Sequence, residues 1–144
     1  MKLNLKEKSF TFFEITLRIF IGITFISAVL DRFGLWGKYN GVDVSWGSMN
    51  QFYKDVTTLT PWISDNSIYY ISWFVTILEL ILGICMIIGF KIKYTSFLSG
   101  ILFLIFAISM TMFLSFKLML NYNVMICALS SFLLFKLEQY KNNI

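Results

Sequence analysis

Four apolar stretches divide this chain, at 10–30, 68–90, 94–116 and 121–137, and each must be tested against the thickness of a bilayer. An α-helix rises 1.5 Å per residue, so about 20 apolar residues match a hydrocarbon core roughly 30 Å thick. The first three runs reach that length. The fourth, at roughly 16 residues or 24 Å of helix, needs a thin bilayer, snorkelling ends or an entry below the surface. Apolar residues make up 58% of the chain and charged ones 14%, with a mean hydropathy of +0.74. Soluble domains average roughly 45–50% apolar and 25% charged, so a soluble core could not hide this excess. The expected fold is an all-α membrane protein, a four-helix transmembrane bundle over residues 1–144 without a soluble domain. The first run contains Arg18 and exceeds the roughly 7–15 residues of a signal-peptide core, so it reads as a retained helix.

Between the first two runs, residues 31–67 form a polar outer loop holding Gly34, Gly37, Gly41, Gly47 and the one proline, Pro61. Within it Met49, Phe52, Tyr53, Val56 and Leu59 recur at helical spacing after Ser48, a helix-capping residue type. The pattern predicts a short amphipathic helix lying on the bilayer or lidding the bundle. Trp36, Trp46, Trp62 and Trp73 fall in or beside this segment, as in the aromatic belt of a membrane interface. Lys91 and Lys93 separate the second and third runs so narrowly that the two helices must form a tight antiparallel hairpin.

Basic residues set the orientation. Lys2, Lys6, Lys8, Lys91, Lys93, Lys136 and Lys141 fall on one side, against Arg32, Lys38, Lys54 and Lys117 on the other. The richer side is expected to be cytoplasmic, with both termini there, in a multi-pass protein of the bacterial inner membrane.

Charges within a bilayer are costly and face the protein interior, which singles out Glu14, Arg18 and Glu79. At 100° per residue, Glu14, Arg18, Gly22, Phe25 and Val29 share a stripe on the first helix. Ser72, Thr76, Glu79, Gly83 and Met86 do so on the second, and Ser96, Ser99, Gly100, Phe103, Ala107 and Thr111 on the third. Such small and polar stripes turn toward neighbouring helices. Measured from Lys8 and Lys91, Arg18 and Glu79 lie at similar depth, predicting a buried Arg18–Glu79 ion pair with Glu14 one turn away. The pair either sets helix register or contacts a proton, an ion or a small ligand. A second polar cluster is expected at the outer end, from Asp31, Arg32, Lys117, Asn121 and Tyr122 beneath the Trp36 loop, as capped helix ends or a ligand pocket.

The chain has no histidine, which removes imidazole bases, Ser-His-Asp triads, HExxH zinc sites and histidine-ligated haem. Cys85 and Cys127 lie in apolar runs, form no C-x-x-C pair and read as small buried hydrophobes. There is no metal-ligand spacing and no glycine-rich nucleotide loop. Net charge is +4, but the basic residues flank the apolar runs as membrane topology requires, so no nucleic-acid partner is expected.

Leu17-Arg18, the run from Ser27 to Gly37, Glu79, Leu80, Gly83 and Gly89 followed by a basic turn together resemble the DoxX family of small bacterial membrane proteins. The Asn121-Tyr122-Asn123-Val124 segment is similar to the family's stretch before its last helix, with Asn121 standing where relatives carry an acid. The resemblance covers nearly the whole chain and implies a four-helix inner-membrane fold. It also implies association with redox systems, thiosulfate-to-quinone oxidation in some members and thiol chemistry in others. The function expected from it is an accessory or anchoring subunit of a redox-linked complex, contacting quinone or lipid, rather than an enzyme in its own right. The alternatives are a ligand or proton unit using Arg18 and Glu79, and a purely structural subunit. Expected partners are the lipid bilayer and either another membrane protein or a second copy of the chain.

Overall fold

The structure, a computed structural model, describes residues 5–141, with side chains from Thr11 onward. Lys2 and the side chains of Lys6 and Lys8, used for the orientation, lie outside the described residues. The described chain forms six helices: α1 (Leu5–Arg32), α2 (Met49–Leu59), α3 (Asp65–Ile88), α4 (Ile92–Phe113), α5 (Phe116–Asn121) and α6 (Val124–Lys141).

Among the described residues three helical segments are long and apolar enough to cross a membrane: Thr11–Arg32, Asp65–Ile88 and Ile92–Phe113. The four-helix expectation is therefore met in class and not in count. Three of the eighteen residues of α6 are charged, Lys136, Glu138 and Lys141, which keeps it from qualifying on composition. The expected fourth stretch, 121–137, is also redrawn. Ser115 caps a separate short helix, its Oγ accepting from the Leu118 amide at 3.1 Å, and Asn121 closes that helix. Asn123, at φ 55°, turns the chain before α6 begins.

The expected hairpin forms between α3 and α4. Gly89 ends α3 in the left-handed region at φ 82°, where its N–H and that of Phe90 both reach the Cys85 carbonyl, at 3.0 and 2.9 Å. The predicted amphipathic helix is α2. Ser48 Oγ accepts from the Gln51 amide at 3.4 Å, and Phe52 and Val56 are buried against Ile68 of α3. It lies over one end of the helices, here termed the loop end; the Gly89 turn marks the opposite, hairpin end.

Packing is closest between α1 and α3 and between α4 and α6. Gly22 and Gly83 let the first pair approach, since a Cβ on Gly22 would stand 2.8 Å from the Gly83 carbonyl oxygen. Gly100 does the same for the second pair, a Cβ there meeting the Phe132 ring at 2.8 Å. The stacked rings of Phe25 and Phe103, 4.4 Å apart, join the two pairs at the centre. The predicted inward stripes of α1 and α3 are buried apart from Arg18, which is half-buried; on α4 only Thr111 is exposed.

Candidate functional site at the loop end

Asp31 and Arg32 close α1, and both side chains are buried. They do different work. The Asp31 carboxylate gathers the loop: its Oδ2 accepts from the amides of Ser45 and Trp46 at 2.9 and 3.1 Å, and Oδ1 from Gly47 at 3.2 Å. Gly47 is required there, because at φ 61° an added Cβ would collide with the Tyr39 backbone. Three backbone donors on one carboxylate are strong, charge-assisted hydrogen bonds, so this residue shapes the 33–48 segment.

Arg32 instead runs back along α1. Its guanidinium pairs with Glu79 of α3, and Nη1 donates to Thr76 Oγ1 at 2.9 Å, while Thr76 donates onward to the Ser72 carbonyl at 2.8 Å. The guanidinium carbon sits in the corner between two rings, 3.7 Å from the centre of Phe52 and 4.9 Å from that of Trp46. Arg32 and Glu79 are each only 2% exposed, so water contributes almost nothing to neutralising either charge. Opening this arrangement on one side would leave a buried unpaired ion, a loss of roughly 3–5 kcal/mol. The pair thus fastens α1, α2 and α3 together at the loop end.

The expected Arg18–Glu79 pair does not form. Gly22 touches Gly83 across two antiparallel helices; Arg18 lies one turn from that contact toward the hairpin end, and Glu79 one turn toward the loop end. Side chains on a helix lean toward its N-terminus, so the two also point away from each other. Arg18 packs its guanidinium on Gly89, whose Cβ would stand 2.8 Å from Nη1. The same lean carries Arg32 back to Glu79. That direction rule, applied to the antiparallel hairpin, was the available signal for the true partner; depth along the helix alone misassigns it.

Glu14 pairs with Lys141 at the end of α6, and Lys141 also reaches Glu138 at 3.2 Å. Burial works against the charged Lys141 amine, but hydrogen bonds and the charges of Glu14 and Glu138 outweigh it and hold the amine above its ordinary 10.5. Glu14 therefore ties α6 to α1 at the hairpin end, away from Glu79.

The expected outer cluster divides in two. Asp31, Trp36 and Tyr122 line a pocket of about 570 Å³, together with Thr24 and Ser27 of α1 and Asp43 and Trp46 of the loop. Arg32 faces α3, and Lys117 and Asn121 are exposed outside this pocket. Trp36 Nε1 donates to the Ser27 carbonyl at 3.1 Å and Trp46 Nε1 to Asp55 at 2.8 Å, which holds both indoles in place. Trp46, Phe52, Thr76 and Asp43 were absent from the sequence-derived set, because their roles depend on how the loop folds back. Cys85 and Cys127 are both free thiols. Among the described residues no group of Cys, Asp and Glu side chains could hold a metal ion.

Apolar helices of spanning length, packed through small residues and held by buried charge, define a multi-pass integral membrane protein. The chain belongs to the family described as methylamine utilisation protein MauE, whose model matches residues 10–121. This is a small bacterial membrane protein family, as expected, but the family shown is MauE and not DoxX. No curated protein and no solved structure matches the chain.

Proposed function

We propose that this chain is a non-catalytic accessory subunit of a redox-linked membrane system, of the kind the name methylamine utilisation protein denotes. The observation that carries the reading is that the buried charges at the loop end are matched internally. Arg32 is held by Glu79, Thr76 and two rings, and Asp31 gathers three loop amides, so both carry the shape of the loop end. A rigid loop end bearing Leu35, Trp36, Tyr39 and Val42 on its surface suits contact with a membrane partner or a second copy of the chain. Quinone or lipid contact belongs to the same reading, through the DoxX-like motif at 27–37. A ligand or proton unit built on Arg18 and Glu79 is disfavoured, because the two residues stand apart.

In this reading α6 serves as the fourth crossing. It packs along α4 and ends where Lys141 meets Glu14, near the start of α1's apolar stretch. Both termini then lie on the cytoplasmic face of the inner membrane and residues 1–144 form one domain.

The test separates an accessory from an enzyme. Purified protein in nanodiscs, given dithiol and quinone together, should oxidise no thiol above the lipid-only rate, while deletion of its gene should leave a redox enzyme of the host inactive or wrongly oxidised. Turnover by the isolated chain, or a deletion strain with every redox activity intact, overturns the reading.

A further inference from the structure

We infer that the loop-end pocket beside Asp31 and Asp43 is a binding site for an ammonium group, carried by a small primary amine or by an aminolipid headgroup. The inference rests on the pocket's own chemistry and does not depend on the accessory reading.

The pocket is rich in acceptors: two carboxylates and the hydroxyls of Thr24, Ser27, Ser45 and Tyr122, which can accept as well as donate. Both tryptophan N–H groups on its walls are engaged, Trp36 with the Ser27 carbonyl and Trp46 with Asp55; Trp46 also carries the Arg32 guanidinium against its ring, which leaves the exposed Trp36 indole as the available aromatic surface. Asp31 contributes a carboxylate whose Oδ1 accepts a single hydrogen bond and retains acceptor capacity. Asp43 stands at the rim, exposed, and makes no hydrogen bond or ion pair among the described residues. No Lys or Arg is among the lining residues, although the chain as a whole carries a net charge of +4. The nearest buried cation, Arg32, is already paired with Glu79.

Such a surface selects its occupant. Two carboxylates repel anions, and a neutral molecule brings them no counter-charge. An ammonium group offers three N–H donors and a positive charge that aromatic faces attract. A volume of about 570 Å³ is within the usual range for small-molecule sites and leaves room for a substituent beyond the nitrogen. Thr24 and Ser27 place one wall on the apolar helix α1 itself, so an amine can arrive from water or as the headgroup of a neighbouring lipid.

The experiment follows intrinsic tryptophan fluorescence of the full chain in nanodiscs of pure phosphatidylglycerol, titrated with ethanolammonium chloride against sodium chloride at equal ionic strength. Ethylene glycol serves as the neutral control. The expected result is a saturable response to ethanolammonium alone. Asp43→Asn should weaken it by about threefold to fivefold, the loss of one direct charge partner at an exposed rim. Because Asn tolerates the left-handed backbone that Asp43 adopts at φ 58°, this variant should fold normally. Asp65→Asn, remote from the pocket, should bind as the parent does. In discs containing phosphatidylethanolamine, a weakened response identifies the lipid headgroup as a resident competitor, and an unchanged one identifies a free amine. An absent response in phosphatidylglycerol, an equal response to ethylene glycol, or full binding by a folded Asp43→Asn protein overturns the proposal.

Discussion

Arg32, the last residue of α1, folds back along its own helix to pair with Glu79 in the middle of α3, while Asp31 beside it turns to the loop and gathers it. Adjacent residues on one helix end thereby organise two different surfaces. One locks α1, α2 and α3; the other shapes the pocket under Trp36.

Glu79→Gln should destabilise the protein by about 3–5 kcal/mol, since Arg32 then stays buried without a counter-ion. The double variant Arg32→Met, Glu79→Leu should recover most of that loss by replacing the pair with apolar volume. Unfolding in mixed micelles, followed by circular dichroism, measures both. A Glu79→Gln protein as stable as its parent would show that the pair carries no such weight.

Asp31→Ala removes the common acceptor of three loop amides and should cost about 1.5–3 kcal/mol for the charged hydrogen bonds it breaks. The cost should be local. Hydrogen exchange at Ser45, Trp46 and Gly47 should accelerate well beyond that of α3, and protease should cut the 33–48 segment sooner. Uniform loosening of the whole bundle would contradict a role confined to the loop.

Gly22→Val should disrupt the α1–α3 contact, because its side chain would meet the Gly83 carbonyl oxygen as well as the Ile87 side chain, and the backbone oxygen cannot swing aside. Overpacking of this kind costs roughly 1–3 kcal/mol, occasionally more. Thermal unfolding should show Gly22→Val well below an Ile23→Val control on the exposed face of α1. Equal stability would mean that the helices can separate without penalty.

Lys141→Gln should lower stability only slightly, by less than about 1 kcal/mol, because the lysine is partly solvated. Its folded-state amine lies above the ordinary 10.5, so the contribution is complete below that pH and fades as pH rises through the raised value. The gap between the melting curves of parent and variant should therefore shrink as pH rises above 10.5. A gap that widens with pH would reverse the assigned sign.

The membrane class was legible because length and apolarity are sums over the chain, insensitive to where each side chain ends up. The same holds for α2, read from the spacing of Phe52 and Val56 behind the Ser48 cap, and for the α3–α4 hairpin, forced by the few residues between two apolar runs. Inward stripes on α1 and α3 also followed from helical periodicity alone. The fourth stretch was less legible: α5, capped by Ser115 in the third stretch, runs into its start, Asn123 turns the chain before α6 begins, and α6 carries Lys136, Glu138 and Lys141 in its last two turns.

Partner choice belonged to the tertiary structure. The sequence by itself determined that Arg18, Arg32 and Glu79 sit on inward or near-inward positions of antiparallel helices. The Gly22–Gly83 contact sets the relative register and leaves Arg18 and Glu79 on opposite sides of it, each about one turn, 5.4 Å, away. The lean of side chains toward each helix N-terminus then sent Arg18 to Gly89 and Arg32 to Glu79. The pocket was still less accessible from sequence, because Asp31, Asp43 and Tyr122 meet through a loop whose path is set by hydrogen bonds to a single carboxylate. Periodicity reports the face of a helix on which a residue lies; a contact also depends on depth, direction and the course of the connecting chain, and those are properties of the packed molecule.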